Sequence, residues 1–431
     1  MPPSSRIPGF YKLTPAERLA ELEARFGLDP ELCQDLAATS LPLASADQMI
    51  ENVVGTLELP VGVGINLVIN GRELVVPMAV EEPSVVAAVS NMARIARAGG
   101  GFQASSDEPV MIGQIQVLPH GTAAESAQKL EAAFPELEAL AASWADTALG
   151  AYGGGLRGMR VRTVTYDEPG EPAQEMVVLH FQVHCADAMG ANVINTIAER
   201  LAPHVERAAD ARVGLRILSN LADMRLARAT VRIPVDALST DSVSGADVAE
   251  GIACAYRFAY ADPYRATTHN KGIMNGIDAV ALAMGQDWRA IEAGAHAWAC
   301  RDHRYRSLST WKVQDDHLVG TLELPLAVGI VGGSIRSNPT VRANLAMTGI
   351  QSARELSEIM VAVGLAQNLG ALRALATEGI QRGHMRMHAR NVATAAGAST
   401  DQVPVVAERL FEAGDYSLAR AKQVLQELAA P

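Results

Sequence analysis

Residues 268–280 read THNKGIMNGIDAV and hold Lys271 between Asn270 and Gly272, in what reads as a loop ahead of a helical run. A lysine held by such a turn is positioned rather than merely solvated, and when partly desolvated it can neutralise an oxyanion developing on a carbonyl. A surface lysine on a turn has the same local signature. Glu82 lies in the dipeptide Glu81-Glu82 ahead of Pro83 and Ser84, and Asp287 lies in MGQDW, sixteen residues beyond Lys271. Two carboxylates gathered around one lysine form a coupled cluster able to hold a proton at neutral pH, as carbonyl reduction requires. Taken singly, Asp287 reads equally well as a helix-end acid and Glu81-Glu82 as a solvated pair.

His384 and His388 in RGHMRMHAR are four apart and share a face if the segment is helical. Half of a zinc site would look similar, but neither an HExxH glutamate nor a third ligand accompanies them, so no metal is expected and a single general acid is the better reading. Asp187-Ala-Met-Gly-Ala-Asn192 opens a helical run with small residues, and the free amides of a helix N-terminus suit a pyrophosphate. The string is not GxGxxG, so a Rossmann unit is not supported.

These residues need scaffolding, and 431 residues exceed what one core usually organises. Hydrophobic residues make up 49% and charged ones 19%, the profile of a globular chain. A net charge of -12 argues against a general nucleic-acid binder. Four scattered cysteines without CxxC spacing suggest neither a disulfide framework nor a zinc site and fit a reducing cytosol. The N-terminus lacks a signal-peptide pattern, and no run of about 18 uninterrupted apolar residues suggests a membrane span.

Thr14-Pro15-Ala16-Glu17 is a capping box that opens a helix reaching about Phe26. From Ile112 the pattern becomes regular. Ile115 and Val117 alternate with Gln114 and Gln116 as a half-buried strand, Thr122 and Glu125 cap a long helix to about Leu149, and MRVRTVTY and EMVVLHFQVH read as two strands. A helix over 191–207 and the strand VGLRILS complete the order βαββαβ. The fold class is α+β: a larger mixed domain from 1–110 and 220–378, an inserted ferredoxin-like unit over 111–219, and a short helical C-terminal piece over 379–431. VGTLELP occurs at both 54–60 and 319–325, which reads as two similar strand-and-turn pieces of the larger domain. Gly379 and Gly383 bracket a possible hinge, so the C-terminal piece reads as a mobile lid.

The strings ENVVGTLELP, EEPSVVAA, DAMGANVINT, RILSNLAD, DPYRATTHNKGIMNGID, GTLELPLAVGIVGG and GLAQNLGALRALATEGIQRGHM together resemble the class II, soluble bacterial 3-hydroxy-3-methylglutaryl-CoA (HMG-CoA) reductases over nearly the whole chain. The resemblance implies an inserted cofactor domain, a C-terminal flap, a cytoplasmic enzyme and an intertwined homodimer with active sites at the subunit interface. It implies four catalytic places at Glu82, Lys271, Asp287 and His384, and contacts to the HMG group from Ser84, Asn220 and Arg265.

The implied reaction is two successive hydride transfers, through a hemithioacetal and mevaldehyde, with HMG-CoA, mevalonate and CoA as substrates and products. Lys271 would stabilise the oxyanion, Glu82 would supply the aldehyde's proton, Asp287 would tune the cluster, and His384 would protonate the CoA thiolate. Asp187, Met189, Gly190 and Asn192 would lie near the dinucleotide. Asp146 matches the place where NADH-using members set an acid against the adenosine ribose, so NAD(H) is favoured over NADP(H). Two positions depart from relatives: Tyr11-Lys12 stands where some members use an arginine near the CoA phosphate, and Arg390 stands where the eukaryotic branch has a regulatory serine. A CoA-thioester lyase or acyl transferase without a redox cofactor is the alternative.

Overall fold

The computed structural model describes residues 4–37, 41–377, 379–399 and 401–429; the side chains of 333, 334, 380–384, 386 and 387 lie outside that description. Among the described residues ten strands form two sheets. The larger contains β1 (Val61–Ile69), β2 (Arg72–Ala79), β3 (Phe102–Ser106), β8 (Leu226–Pro234), β9 (Ser309–Gln314) and β10 (His317–Pro325), in the order β2-β1-β3-β8-β10-β9. The smaller contains β4 (Val110–Pro119), β5 (Gly155–Tyr166), β6 (Gln174–His184) and β7 (Ala211–Leu218), in the order β5-β6-β4-β7 with antiparallel pairing throughout.

The smaller sheet realises the expected split-βαβ arrangement. Ile115, Val117, Leu179, Phe181 and Val183 are buried against helices Phe134–Leu149 and Ala191–Ala209, forming a core of their own. Gln114 and Gln116 alternate with them toward the other face, as period-two patterning requires. The helix expected to run unbroken from Thr122 is instead two, Ala123–Ala132 and Phe134–Leu149. Pro135 explains the break, because a proline nitrogen cannot donate and its ring crowds the preceding turn. The capping box at Thr122 and Glu125 is present, as is the one at Thr14 and Glu17.

Around the larger sheet, helix Ala353–Ala376 packs against β3, β8, β10 and helix Pro263–Ala283. It is long and apolar enough to cross a membrane, yet most of it is buried in this core. Its close approach to Pro263–Ala283 uses Gly276 and Gly364, where a Cβ would stand 2.8 Å from Gln367 Cβ and from Ile277 Cγ1 respectively. Asn70 and Gly71, both at positive φ, turn β1 into β2 as expected.

The repeated heptapeptide does not make two equivalent pieces. Residues 319–325 lie within β10, paired on both sides by β8 and β9, whereas residues 54–60 form no strand and are exposed. Identical residues take the strand conformation only where neighbouring strands satisfy their amides and cover one face. The C-terminal piece is three helices, Ile380–Ala395, Val403–Ala413 and Leu418–Ala429, packed on one another around Ala389, Ala393, Val406, Leu410 and Val424. Gly379 has φ 82, a backbone conformation that favours glycine, whereas Gly383 falls inside the first of these helices.

Candidate active site

Lys271 is not in a loop. Asp262 caps the amide of Arg265 at 2.9 Å, Pro263 occupies the first turn, and the helix then runs unbroken through Lys271 to Ala283. The Gly and Asn residues that looked like turn signals do other work. Asn270 is fully buried; its amide donates to the Arg306 carbonyl at 2.8 Å, and its oxygen accepts from the Leu308 amide at 2.9 Å. His269, 2% exposed, sits 2.6 Å from Ser309 Oγ, while Ser309 and Trp311 both donate to Asn368 Oδ1. Burial, and then the nearby Arg265 guanidinium, push the His269 imidazole down to about 3, so it is neutral. Its two buried neighbours thus anchor the helix that presents Lys271 outward.

The Lys271 ammonium reaches Glu82 Oε2 at 2.7 Å, and Asn275 Nδ2 donates to the same oxygen at 3.3 Å. Glu82 comes from the segment between β2 and helix Val85–Ala96. Ser84, which opens that helix, has φ 75 and makes no side-chain cap bond. A non-glycine residue in the left-handed region costs on the order of 1–3 kcal/mol, a strain that functional segments often store.

Asp287 does not join this pair. It caps helix Trp288–Ala299, accepting from Ala290 N at 3.1 Å, and stands 3.7 Å from Arg289. The helix-end reading therefore describes Asp287 in this structure. Asn220 lies beside the same helix, since a Cβ on Gly294 would come within 2.8 Å of the Asn220 carbonyl. Arg265 is half-buried, and desolvation lowers its pKa. Asn275 was missed in the sequence reading: it lies four residues beyond Lys271, a helical spacing that signifies a shared face only once the segment is read as a helix. His384 falls on helix Ile380–Ala395, and its side chain lies outside the described residues. His388 is exposed, with its ring 6.1 Å from that of Tyr416.

The segment 187–192 lies where the small sheet's unit meets the larger domain. Gly190, at φ 101, opens helix Ala191–Ala209 without a side-chain cap, so no side chain occupies the capping position. A Cβ there would lie 2.3 Å from Cys185 Sγ. The Asp187 carboxylate accepts from Ala353 N at 2.8 Å. Arg225, nearly inaccessible, donates to the Met189 carbonyl at 3.0 Å and also to the Val328 carbonyl; burial lowers its pKa to about 10. An uncapped N-terminus on a pinned loop fits a dinucleotide's pyrophosphate. Met189 is half-buried and Asn192 exposed.

Asp146 is exposed near the end of helix Phe134–Leu149, and a Cβ on Gly155 would stand 3.0 Å from its Oδ1. An open hollow of about 440 Å³ lies one helical turn away, between Glu138, Ala142, Leu156 and Arg157. It belongs to the small sheet and does not include Lys271 or Glu82. Lys12 is exposed, with its ammonium 5.8 Å from the Tyr11 ring centre.

The family model described as hydroxymethylglutaryl-coenzyme A reductase matches residues 14–389. The chain belongs to that family. It is 47% identical over 427 residues to the 3-hydroxy-3-methylglutaryl-coenzyme A reductase of Archaeoglobus fulgidus, covering 99% of this chain and 95% of that one. A probable 3-hydroxy-3-methylglutaryl-coenzyme A reductase of Borreliella burgdorferi is 35% identical, with 80% and 77% covered. Among solved structures, the Streptococcus pneumoniae reductase superposes with a TM-score of 0.82 at 42% identity, covering 98% and 99% of the two chains. The class II enzyme from the same organism bound to NADPH in open conformations gives 0.80 at 42% identity, with 97% and 100% covered. The mixed fold with two sheets is therefore that of the class II HMG-CoA reductases, and the chain is an oxidoreductase of the nicotinamide-dependent kind.

Proposed function

We propose that this reductase interconverts HMG-CoA with mevalonate and CoA, and that Glu82, Lys271, Asp287 and His384 do the chemistry. The observation that carries the reading is the 2.7 Å contact between Lys271 and Glu82, a cation beside a proton-holding carboxylate, in a chain of this family. Lys271 stabilises the oxyanion at the reacting carbonyl, and Glu82 delivers the proton to the aldehyde oxygen. Asp287 approaches the pair once substrate closes the site, leaving its bond to Arg289. His384 protonates the departing thiolate. Arg265 pairs with the HMG carboxylate, and Ser84 and Asn220 hold its polar groups.

The nicotinamide cofactor, when bound, supplies hydride. Residues Asp187, Met189, Gly190 and Asn192 hold its pyrophosphate side, a reading supported by the uncapped helix start at Gly190. NADH is preferred over NADPH, with Asp146 against the adenosine ribose. Residues 111–219 act as the inserted cofactor domain, 1–110 and 220–378 as the substrate domain, and 379–431 as a flap carrying His384. The working form is a cytoplasmic homodimer; support comes from Val54 and Leu57, 98% and 92% exposed in the single chain, an apolar segment that a second copy would cover.

The test is nicotinamide absorbance with HMG-CoA and each reduced cofactor, then mevalonate, CoA and each oxidised one. Consumption of reduced cofactor in step with mevalonate formation is expected. CoA-thioester turnover with no change in the cofactor would favour the lyase or acyl-transfer alternative.

A further inference from the structure

Arg225 lies on the connection that returns from β7 of the small sheet to β8 of the larger one, and only 4% of it is exposed. Its guanidinium is spent on backbone carbonyls. Nη1 donates to Met189 at 3.0 Å, both terminal nitrogens donate to Ala188 at 3.4 Å, and Nη2 donates to Val328. Those carbonyls belong to two different pieces of chain: the loop 187–190 after β6, and the segment 326–330 that leaves β10. A cation this deeply buried is costly unless its donors are met, and here they are met by bridging the two pieces.

The segment 326–330 is held from several sides. Leu326 N donates to the Arg225 carbonyl at 3.1 Å, and Ile330 N donates to the Asp187 carbonyl at 2.9 Å. Between them, Gly329 N donates to Gln286 Oε1 at 2.9 Å, and Gln286 immediately precedes Asp287. The fit is close, since a Cβ on Gly329 would stand 2.6 Å from Met189 N. Five residues therefore join the turn before Asp287 to the loop that opens helix Ala191–Ala209, and Arg225 spans them both. In a trans peptide the N–H points opposite the C=O, so drawing the Met189 carbonyl toward Arg225 turns the Gly190 amide away from it, at the uncapped start of that helix.

We propose that Arg225 is a positioning residue for the nicotinamide cofactor: its guanidinium fixes the loop 187–190 to the segment 326–330, and so holds the amides that meet the pyrophosphate at a set distance from Asp287. This deepens the proposed function and rests on its placing of the cofactor at 187–192. Arg225 acts through backbone, on the part that NADH and NADPH have in common. Asp146, by contrast, bears on the ribose where the two differ.

The experiment measures equilibrium binding of NADH and NADPH by nicotinamide fluorescence, and of HMG-CoA by calorimetry, to full-length wild type, Arg225→Lys and Arg225→Met. Lysine keeps the charge but lacks the planar fork that reaches two elements at once; methionine offers no donor. Both cofactors should lose affinity by the same factor, about tenfold for Arg225→Lys and more for Arg225→Met, with HMG-CoA changed by less than about threefold. Wild-type cofactor affinity in Arg225→Lys, or an equal loss for cofactor and HMG-CoA, would overturn the proposal. If Arg225→Met does not fold, Arg225→Lys decides alone; if circular dichroism shows that neither folds, Arg225 serves the core and the proposal falls. Asn192→Asp tests the parent reading separately, because Asn192 is exposed and a carboxylate at the helix start would repel a pyrophosphate. Cofactor affinity untouched by Asn192→Asp would overturn the placing of the cofactor, whereas affinity lost in Asn192→Asp but kept in Arg225→Lys would overturn the role of Arg225 alone.

Discussion

Lys271 and Glu82, 189 positions apart in the chain, meet with Nζ 2.7 Å from Oε2. The ammonium stands on the outward face of a helix whose opposite face is locked by His269 and Asn270, while the carboxylate comes from a short segment ending at the left-handed Ser84. A rigid helix thus holds the cation, and the carboxylate sets its direction. In the single chain the Lys271 side chain is 60% exposed, so bound substrate would have to exclude water for its charge to act at full strength.

Replacing Lys271 by alanine should abolish reduction of both HMG-CoA and mevaldehyde, by roughly 10²-fold or more in turnover, because in the proposed mechanism the cation serves each carbonyl in turn. The residue is exposed, so the variant should melt like wild type. Near-normal rates on both substrates, measured alongside circular dichroism, would remove Lys271 from the chemistry.

In the proposed mechanism His384 serves a different step. A proton delivered to a departing thiolate matters only while CoA leaves, so His384→Gln should slow HMG-CoA reduction much more than reduction of free mevaldehyde. Parallel steady-state rates on the two substrates check this, and equal losses would refute the role.

Cofactor preference should depend on Asp146. A carboxylate accepts a hydrogen bond from a ribose 2′-hydroxyl but repels a 2′-phosphate, so Asp146→Ala should weaken NADH use and relax rejection of NADPH. A change of about tenfold in the ratio of kcat/KM values corresponds to about 1.4 kcal/mol, within reach of one partly solvated charge. A wild type that prefers NADPH, as the S. pneumoniae complex makes worth testing first, would overturn the preference, and an unchanged ratio would exonerate Asp146.

Acid stability should depend on Glu73, which ties the N-terminal segment to the larger sheet. Its carboxylate accepts from Arg97 at 3.0 Å and from the Ser5 amide at 2.8 Å. The Arg97 bond first, and then Ser5, hold it at about 2 against an ordinary 4.5. The folded pKa lies below the unfolded one, so the stabilisation is present above the ordinary carboxylate range and is lost as pH falls toward 2. Glu73→Gln should cost about 1–3 kcal/mol near neutrality, a deficit that shrinks on acidification. Chemical denaturation of both proteins at several pH values checks it; a constant deficit would show that the charge is not the cause.

Short-range chemistry in the sequence determined a great deal. Capping boxes at Thr14 and Thr122 began helices where they stood, Asn70-Gly71 made its turn, and strand alternation around Ile115 and Val117 specified the buried face of the small sheet, because each signal is satisfied by residues within a few positions. The long motif strings carried the family. Tertiary structure decided what local signals left open. VGTLELP became a central strand at 319–325 and an exposed segment at 54–60, since strand formation depends on which neighbours supply hydrogen bonds. Asn270 and Gly272 looked like loop residues and proved to be helical, because the buried Asn270 finds its partners in the Arg306 carbonyl and the Leu308 amide, which outweighs their weak helix propensity. The meeting of Lys271 with Glu82 was likewise settled by packing, for side chains far apart in sequence acquire a distance only when the elements carrying them are packed together.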